Sequence, residues 1–483
     1  IMPDFIYEEM LRIRKPFKPT DDALNKLAEF MTKKRSRGKS KMPAGYTYLS
    51  QFIAHDIAFD KLGREAWGTS TTEIIENGRT PNFNLENVYG LKFPIVSTRL
   101  EANSNTRLRV GNTSSKLFPN DLPRKPGSKE ADIEDERNDE NLAVAQIHLA
   151  FLRFHNAIVK HRGKSDTVDT FLETRRIAIR HYQWIILNDF LPRIVKKEIL
   201  EDVIKKEDHS YRPNINNVFM PSEFAFGAYR FGHSLVRDLY NWNRTFNINT
   251  NKKGASLYDL KKFTGSSCKL GFNCMEKLES LPSRWIINWK WFFDINGSMS
   301  NENRTFFNFA KKIETSISTS LGKLHPQPDT LHTFDKIYSL PARDLYRSRF
   351  VNLPTGQAIA ERMDSTNVLS SQDLREILSG ELNDTFSNET PAWFYFLAEA
   401  ELNKNDVGEY GETLGNVGSR IVAEVFIELL KLSDFSILNK KDFPEPKDFL
   451  KHSDFIGEDT KFGMAEMLSF VEKIDGNFIN PLN

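Results

Sequence analysis

The chain has 483 residues, about three domains' worth of length, and 66 Lys and Arg against 65 Asp and Glu leave a formal charge of +1. That balance excludes the basic footprint of a nucleic-acid binder. A hydrophobic fraction of 39%, with no apolar run of about 18 residues, leads us to expect a soluble globular chain without a membrane-spanning helix.

In chain order, the first ten residues, IMPDFIYEEM, lack a basic n-region and an apolar h-region. No signal peptide is therefore expected, and a cytoplasmic location is favoured over a secreted one. Residues 49–60, LSQFIAHDIAFD, put Gln51 and His55 four apart on one helical face, with Asp56 pointing elsewhere. Residues 60–82 and 99–135 are long polar connections without periodicity. Segment 141–162 places Leu142, Ala145, Leu149, Leu152 and Asn156 on one stripe, so an amphipathic helix is predicted. Helices are also predicted over 168–190, 222–240, 304–321, 355–363, 370–379 and 416–432. Alternating strand runs are scarce. The fold class expected is mainly α, with an N-terminal arm (1–42), one large domain (43–433) and a C-terminal extension (434–483) packed on it.

Residues 245–283 form a further loop that carries the only two cysteines, Cys268 and Cys274. Two cysteines exclude a disulfide framework and a four-cysteine zinc site. They are read as free thiols ahead of one bridged loop. No GxGxxG, Walker A, GxSxG or HExxH motif occurs, so nucleotide, serine-hydrolase and zincin chemistry has no support.

Three segments concentrate reactive groups. The first is the Gln51/His55 face. In the second, DERNDENL, Arg137 and Glu140 share a face just before the long helix. The third, SEFAFGAYRFGHSLVRDLY, holds one imidazole, His233, beside Gly232 among aromatic side chains, surroundings that suit a ligand facing a flat hydrophobic cofactor. Taken alone, each histidine reads more readily as a core residue. His148 and His155, seven apart on the long helix, are read as packing residues.

Together, QFIAHD, ERNDENLAVAQIHLAFLRFHN, AYRFGHSLV and DLYRSRFVNLPTGQAIA, in that order, resemble the animal-type haem peroxidase superfamily, which includes the cyclooxygenases. The phrases AGYTYLSQFIAHD and LPTGQAIA look most like its bacterial branch. The resemblance runs from about residue 43 to 362. It implies a multi-helix fold with haem b between a distal and a proximal helix. It also implies reduction of hydrogen peroxide through a ferryl state, with oxidation of small donors such as bromide, iodide, thiocyanate or phenols, and a part in the response to oxidative stress. Under it, His55 is the distal acid–base group, Arg137 the fixed positive charge, and His233 the axial iron ligand. Gln51 lies near the halide and water site, and Arg347 holds a propionate. Arg230 stands with the haem-binding residues, where the cyclooxygenases carry a radical-forming tyrosine.

The departures from the family pattern carry expectations of their own. Asp344 stands where the family has an asparagine bonded to the proximal histidine, and should give His233 imidazolate character. Ala54 cannot form the first of the family's haem esters, which leaves Glu140 for at most one. A calcium site is implied at Asp56, Thr80, Asn82 (through its carbonyl), Asn84 and Glu86, all oxygen donors. Two other readings are kept beside the peroxidase: a haem-dependent oxygenase or dioxygenase of a lipid or specialised metabolite, and a non-catalytic interaction protein.

Overall fold

The structure, a computed structural model, describes residues 5–15, 17–61, 74–91, 99–115, 117–214, 216–249, 253–265, 279–324, 339–364, 366–405, 407–439, 441–442 and 461–482. Cys268 and Cys274 lie outside the described residues, as do parts of the predicted loops 60–82 and 245–283 and of the 434–483 extension.

The fold is built around the helix Leu142–Arg162. Asn141 caps it, its side chain accepting from the Val144 N–H, and Gly163 ends it at φ 58°. Every residue from Leu142 to Ile158 is buried, as expected of a helix that is apolar nearly all round. By length and composition alone it could cross a membrane, the only such helix among the described residues. Here its surroundings are protein: Val168–Ile185, Met464–Asp475 and Gly45–Ile57 all pack on it. The Phe52 and Phe151 rings, stacked with centroids 4.7 Å apart, fix the last of these contacts. The start of Gly45–Ile57 runs so close to the chain at Phe292 and Phe293 that a Cβ on Gly45 would fall 2.4 Å from the Phe293 ring.

Helices form as predicted at Gly356–Met363, Ser371–Ile377 and Asn416–Leu432. The helix expected over 168–190 is Val168–Ile185, which passes through a π-helical turn at Ile186–Phe190 into Leu191–Ile194. Two predicted helices do not form. Segment 222–240 is one turn, Ser222–Ala225, then a 3-10 helix, Ala228–Leu235, and a short strand, Leu239–Tyr240. Gly227, at φ −123° and ψ −94°, breaks the run, and a Cβ on Gly232 would fall 3.4 Å from the Ser50 hydroxyl on the Gly45–Ile57 helix. Segment 304–321 is divided among a 3-10 turn, the strand Phe309–Lys311 and a turn at Thr319–Gly322. Its apolar residues fall at helical intervals, but the strand pairs antiparallel with Lys39–Pro43.

The predicted N-terminal arm contributes a core helix, Asp21–Lys33, whose Leu24, Leu27, Ala28 and Met31 are buried and which packs on Leu340–Phe350. Before it, strand Phe5–Glu8 pairs antiparallel with Glu76–Asn77 and parallel with Phe219–Pro221 in the register Ile6↔Phe219 and Tyr7↔Met220. This small sheet carries Tyr7 to the cavity described next.

Candidate active site

A cavity of about 470 Å³ opens between the Gly45–Ile57 helix, the 3-10 helix Ala228–Leu235 and the Leu340–Phe350 helix. Gln51, Ala54, His55, Arg137, Glu140, Arg230, His233 and Arg347 all line it. Residues more than 290 positions apart in sequence thus meet around one space, whose size is in the range of cofactor pockets.

On one side stands His55, near the end of its helix. Its Nδ1 is 2.8 Å from Asn138 Oδ1, and its Nε2 is 3.9 Å from a Glu140 oxygen. Burial, then the neighbouring Arg137 charge, lowers the imidazole to about 3, so the ring is neutral near pH 7. The 3-10 turn Glu136–Asp139 presents Arg137. The Arg137 guanidinium donates to Asp135 through Nε (2.9 Å) and Nη2 (2.6 Å), and to the carbonyls of Ala58 (2.8 Å) and His55 (3.0 Å). Arg79 meets the same carboxylate at 2.7 Å. Burial acts to raise Asp135, but Arg137 and Arg79 hold it well below the carboxylate range. Gln51 donates to Glu140 and accepts from Asn141 Nδ2 at 3.0 Å, which fixes its amide beside His55.

On the other side is His233. Its Nδ1 lies 2.5 Å from Asp344 Oδ2, while Arg230 pairs with the other oxygen of Asp344. Burial opposes ionisation of Asp344, yet His233 and Arg230 hold it down at about 2. Asp344 therefore accepts, His233 donates from Nδ1, and Nε2 keeps a lone pair with which the ring could hold a haem iron. The Asp344 helix starts at the Ser339 cap and is docked by Ser348, whose hydroxyl donates to the Phe226 carbonyl at 3.0 Å.

Arg347, one turn beyond Asp344, has the Asp60 carboxylate at 3.4 Å. Burial and then the Arg230 charge lower it to about 9. Two guanidiniums held together in a buried space favour an added anion, and a haem propionate has the right charge. With an imidazole from each side and an ionised carboxylate behind one of them, the donor set fits haem.

The predicted calcium residues are brought together only in part. Asp56 and Glu86 are buried close enough for Asp56 to raise Glu86, and burial, the larger cause, takes both to about 7. Asp56 accepts from the Leu85 and Asn87 amides, and Glu86 from the Thr80 amide at 3.0 Å. The buried Asn82 Oδ1 has no hydrogen bond. Asn84 turns its Oδ1 to the Asp434 N–H at 2.8 Å.

Several groups at the site are given no role by the sequence: Tyr7, Asp60, Lys261 and Arg343 line the cavity, and Asp135 and Asn138 support its walls. Asp60 closes the segment LSQFIAHDIAFD, and Asp135 and Asn138 flank Arg137 in DERNDENL, so these three had a local signal. His148 reaches the site through Asn138. His155, by contrast, bonds to the Tyr89 hydroxyl and the Thr106 carbonyl, away from it.

Residues 41–272 match the animal haem peroxidase family model. A peroxidase-like protein of Margaritifera margaritifera is 28% identical over 166 residues, 32% of this chain and 21% of that protein. A peroxidasin homolog of Homo sapiens is 34% identical over 112 residues, 22% of this chain and 7% of that one. The chain thus spans about a fifth or less of the length of these curated relatives. Among solved structures, peroxidase A of Dictyostelium discoideum superposes with a TM-score of 0.61 at 15% identity, over 100% of this chain and 94% of that one. The fatty acid alpha-dioxygenase of Oryza sativa does so with 0.57 at 13% identity, over 98% and 80%. His55, Arg137 and His233, which frame the cavity, all lie within residues 41–272, the stretch that matches the animal haem peroxidase family model.

Proposed function

We propose that the protein is a haem-dependent peroxidase, which reduces hydrogen peroxide to two waters with two electrons and two protons, the electrons coming from small donors. The observation that carries this reading is that His55, Arg137 and His233 line one cavity. When bound, haem supplies the redox chemistry. His233 would hold it, oriented by Asp344, with Arg347 and Arg230 facing its carboxylates. His55, neutral and buried, takes a proton from one peroxide oxygen at Nε2 and returns it to the other. Arg137, fixed by Asp135, lays positive charge where negative charge develops. Gln51, held by Glu140 and Asn141, orients water or a small anion beside His55. Bromide, iodide, thiocyanate and phenols are the proposed donors, and removal of peroxide under oxidative stress the proposed role. One haem ester, through Glu140, is supported by that carboxylate's place on the cavity wall and by Ala54, which cannot form a second.

The test is the absorption spectrum of the haem-loaded protein before and after one equivalent of hydrogen peroxide. A Soret band that changes rapidly and recovers when bromide or a phenol is added supports the reading. A band that only bleaches overturns it. Haem that stays with the chain through acid–acetone extraction in the wild type, but not in Glu140→Gln, would establish the ester.

The second reading, an oxygenase, draws on Leu257, Leu321, Leu324 and Leu340, which make one part of the cavity wall apolar. The Oryza sativa neighbour is a fatty acid dioxygenase. Oxygen consumption on adding a fatty acid, without peroxide, would favour it. Calcium is proposed at Asp56, Glu86, Thr80 and Asn82, without the Asn84 side chain. Removal with a chelator should lower the unfolding temperature, and added calcium should restore it.

A further inference from the structure

Three elements bring three buried polar side chains into one line. His55 comes from the helix Gly45–Ile57, Asn138 from the turn Glu136–Asp139, and His148 from the helix Leu142–Arg162. His55 Nδ1 is 2.8 Å from Asn138 Oδ1, and Asn138 Nδ2 is 2.9 Å from His148 Nδ1. Asn138 is fully buried and His148 is 1% exposed, so no solvent competes for these bonds.

An amide has one accepting end and one donating end. With its oxygen on His55, the His55 proton must sit on Nδ1, and Nε2 presents a lone pair to the cavity. With its nitrogen on His148, that ring must accept at Nδ1 and carry its proton on Nε2. The His148 Nε2 has no hydrogen bond, and its ring stands T-shaped to Phe52 with centroids 6.0 Å apart, a setting in which an N–H can rest on an aromatic face. Reversing the amide would put a proton on His55 Nε2 and leave it unable to accept one from a substrate.

We infer that Asn138 and His148 are positioning residues that lock His55 in the tautomer with a free Nε2 lone pair. The inference concerns hydrogen bonding alone, and its consequence for rate rests on the peroxidase reading. His148 acts at one remove, by engaging the Asn138 NH2 group and so preventing the amide from turning. The long helix, which otherwise only packs, thereby sets the chemistry at the cavity.

The experiment is nitrogen NMR of the protein labelled with 15N-histidine, in its haem-loaded, diamagnetic ferrous carbonyl form. The expected result is a protonated-type Nδ1 and an unprotonated-type Nε2 on His55, with the reverse on His148. A proton on His55 Nε2 in the wild type overturns the inference without any variant. Asn138→Leu should give a mixture of His55 tautomers and slow the reaction with peroxide about 10-fold or more; an unchanged tautomer overturns the lock. Asn138→Asp offers only acceptors, so it should keep the His55 tautomer and move the His148 proton to Nδ1. A wild-type protein with the expected tautomers that ignores peroxide removes the peroxidase reading and leaves the lock standing.

Discussion

Asp344 Oδ2 stands 2.5 Å from Nδ1 of His233, and the same carboxylate is paired with Arg230. The sequence suggested the first contact and not the second, and the second changes the expectation. A lone carboxylate would draw the ring proton strongly, whereas one shared with a guanidinium draws it less. The Fe(III)/Fe(II) potential of the loaded protein should therefore rise in Asp344→Asn, where an amide replaces the anion, and fall in Arg230→Gln, where the anion is released to His233. Each tenfold change in the relative stability of the two iron states is about 59 mV. Redox titration of both variants checks the pair, and shifts of the same sign would sink the argument.

His55 is the group most exposed to a direct test. With burial holding its imidazole neutral, it is ready to accept a proton, and His55→Ala should slow the reaction with peroxide by a factor of order 10² or more. Stopped-flow absorbance measures this. A near-normal rate would remove the acid–base role, whereas a lost Soret band would mean that the substitution had disturbed haem binding instead.

Much of this site is legible in the sequence, because its residues sit on local patterns. The four-residue step from Gln51 to His55, the three-residue step from Arg137 to Glu140 and the step from Asp344 to Arg347 survive in any helical turn. What is not legible depends on distant chain. Tyr7 reaches the cavity because its strand lies beside Phe219–Pro221, more than 200 residues away. Asp60 faces Arg347 across 287 positions, and Asn138 joins two histidines that no spacing connects. The two failed helices, 222–240 and 304–321, show the same limit. Apolar residues three and four apart mark a buried face, but the glycine at 227 and a strand partner at Lys39–Pro43 decide the backbone.

Asp135 supports the distal wall without lining it. It accepts from Arg137 twice, from the Arg137 amide and from Arg79. Both side chains of the Arg79–Asp135 pair are at most 9% exposed. Asp135→Ala would leave the buried Arg79 guanidinium without its carboxylate, beside an Arg137 side chain that is a quarter exposed, a loss of about 3 kcal/mol. Denaturant unfolding should show this as a lower midpoint at unchanged slope. A loss within about 0.5 kcal/mol would mean that water reaches the pair.

Glu399, which does not line the cavity, should tie stability to pH. It is fully buried on Ala392–Leu402 and accepts from the Val417 amide at 2.9 Å and the Gly418 amide at 3.1 Å, at the start of the Asn416–Leu432 helix. Burial pushes it up to about 7, with Lys196 offsetting part of the rise. A carboxyl raised on folding binds its proton more tightly in the native chain than in the unfolded one. Its contribution is therefore complete below the unfolded value, near 4.5, and is lost as the pH climbs to about 7. Buried histidines such as His148 and His181 are lowered and work in the opposite direction over part of that range, so the wild-type curve alone does not isolate Glu399. The difference between wild type and Glu399→Gln does. The two should be close in stability at pH 5, and the variant should gain on the wild type by up to about 3 kcal/mol by pH 8. Unfolding midpoints of both proteins across that range measure the difference, and a gap that stays constant with pH would show that Glu399 is ionised throughout.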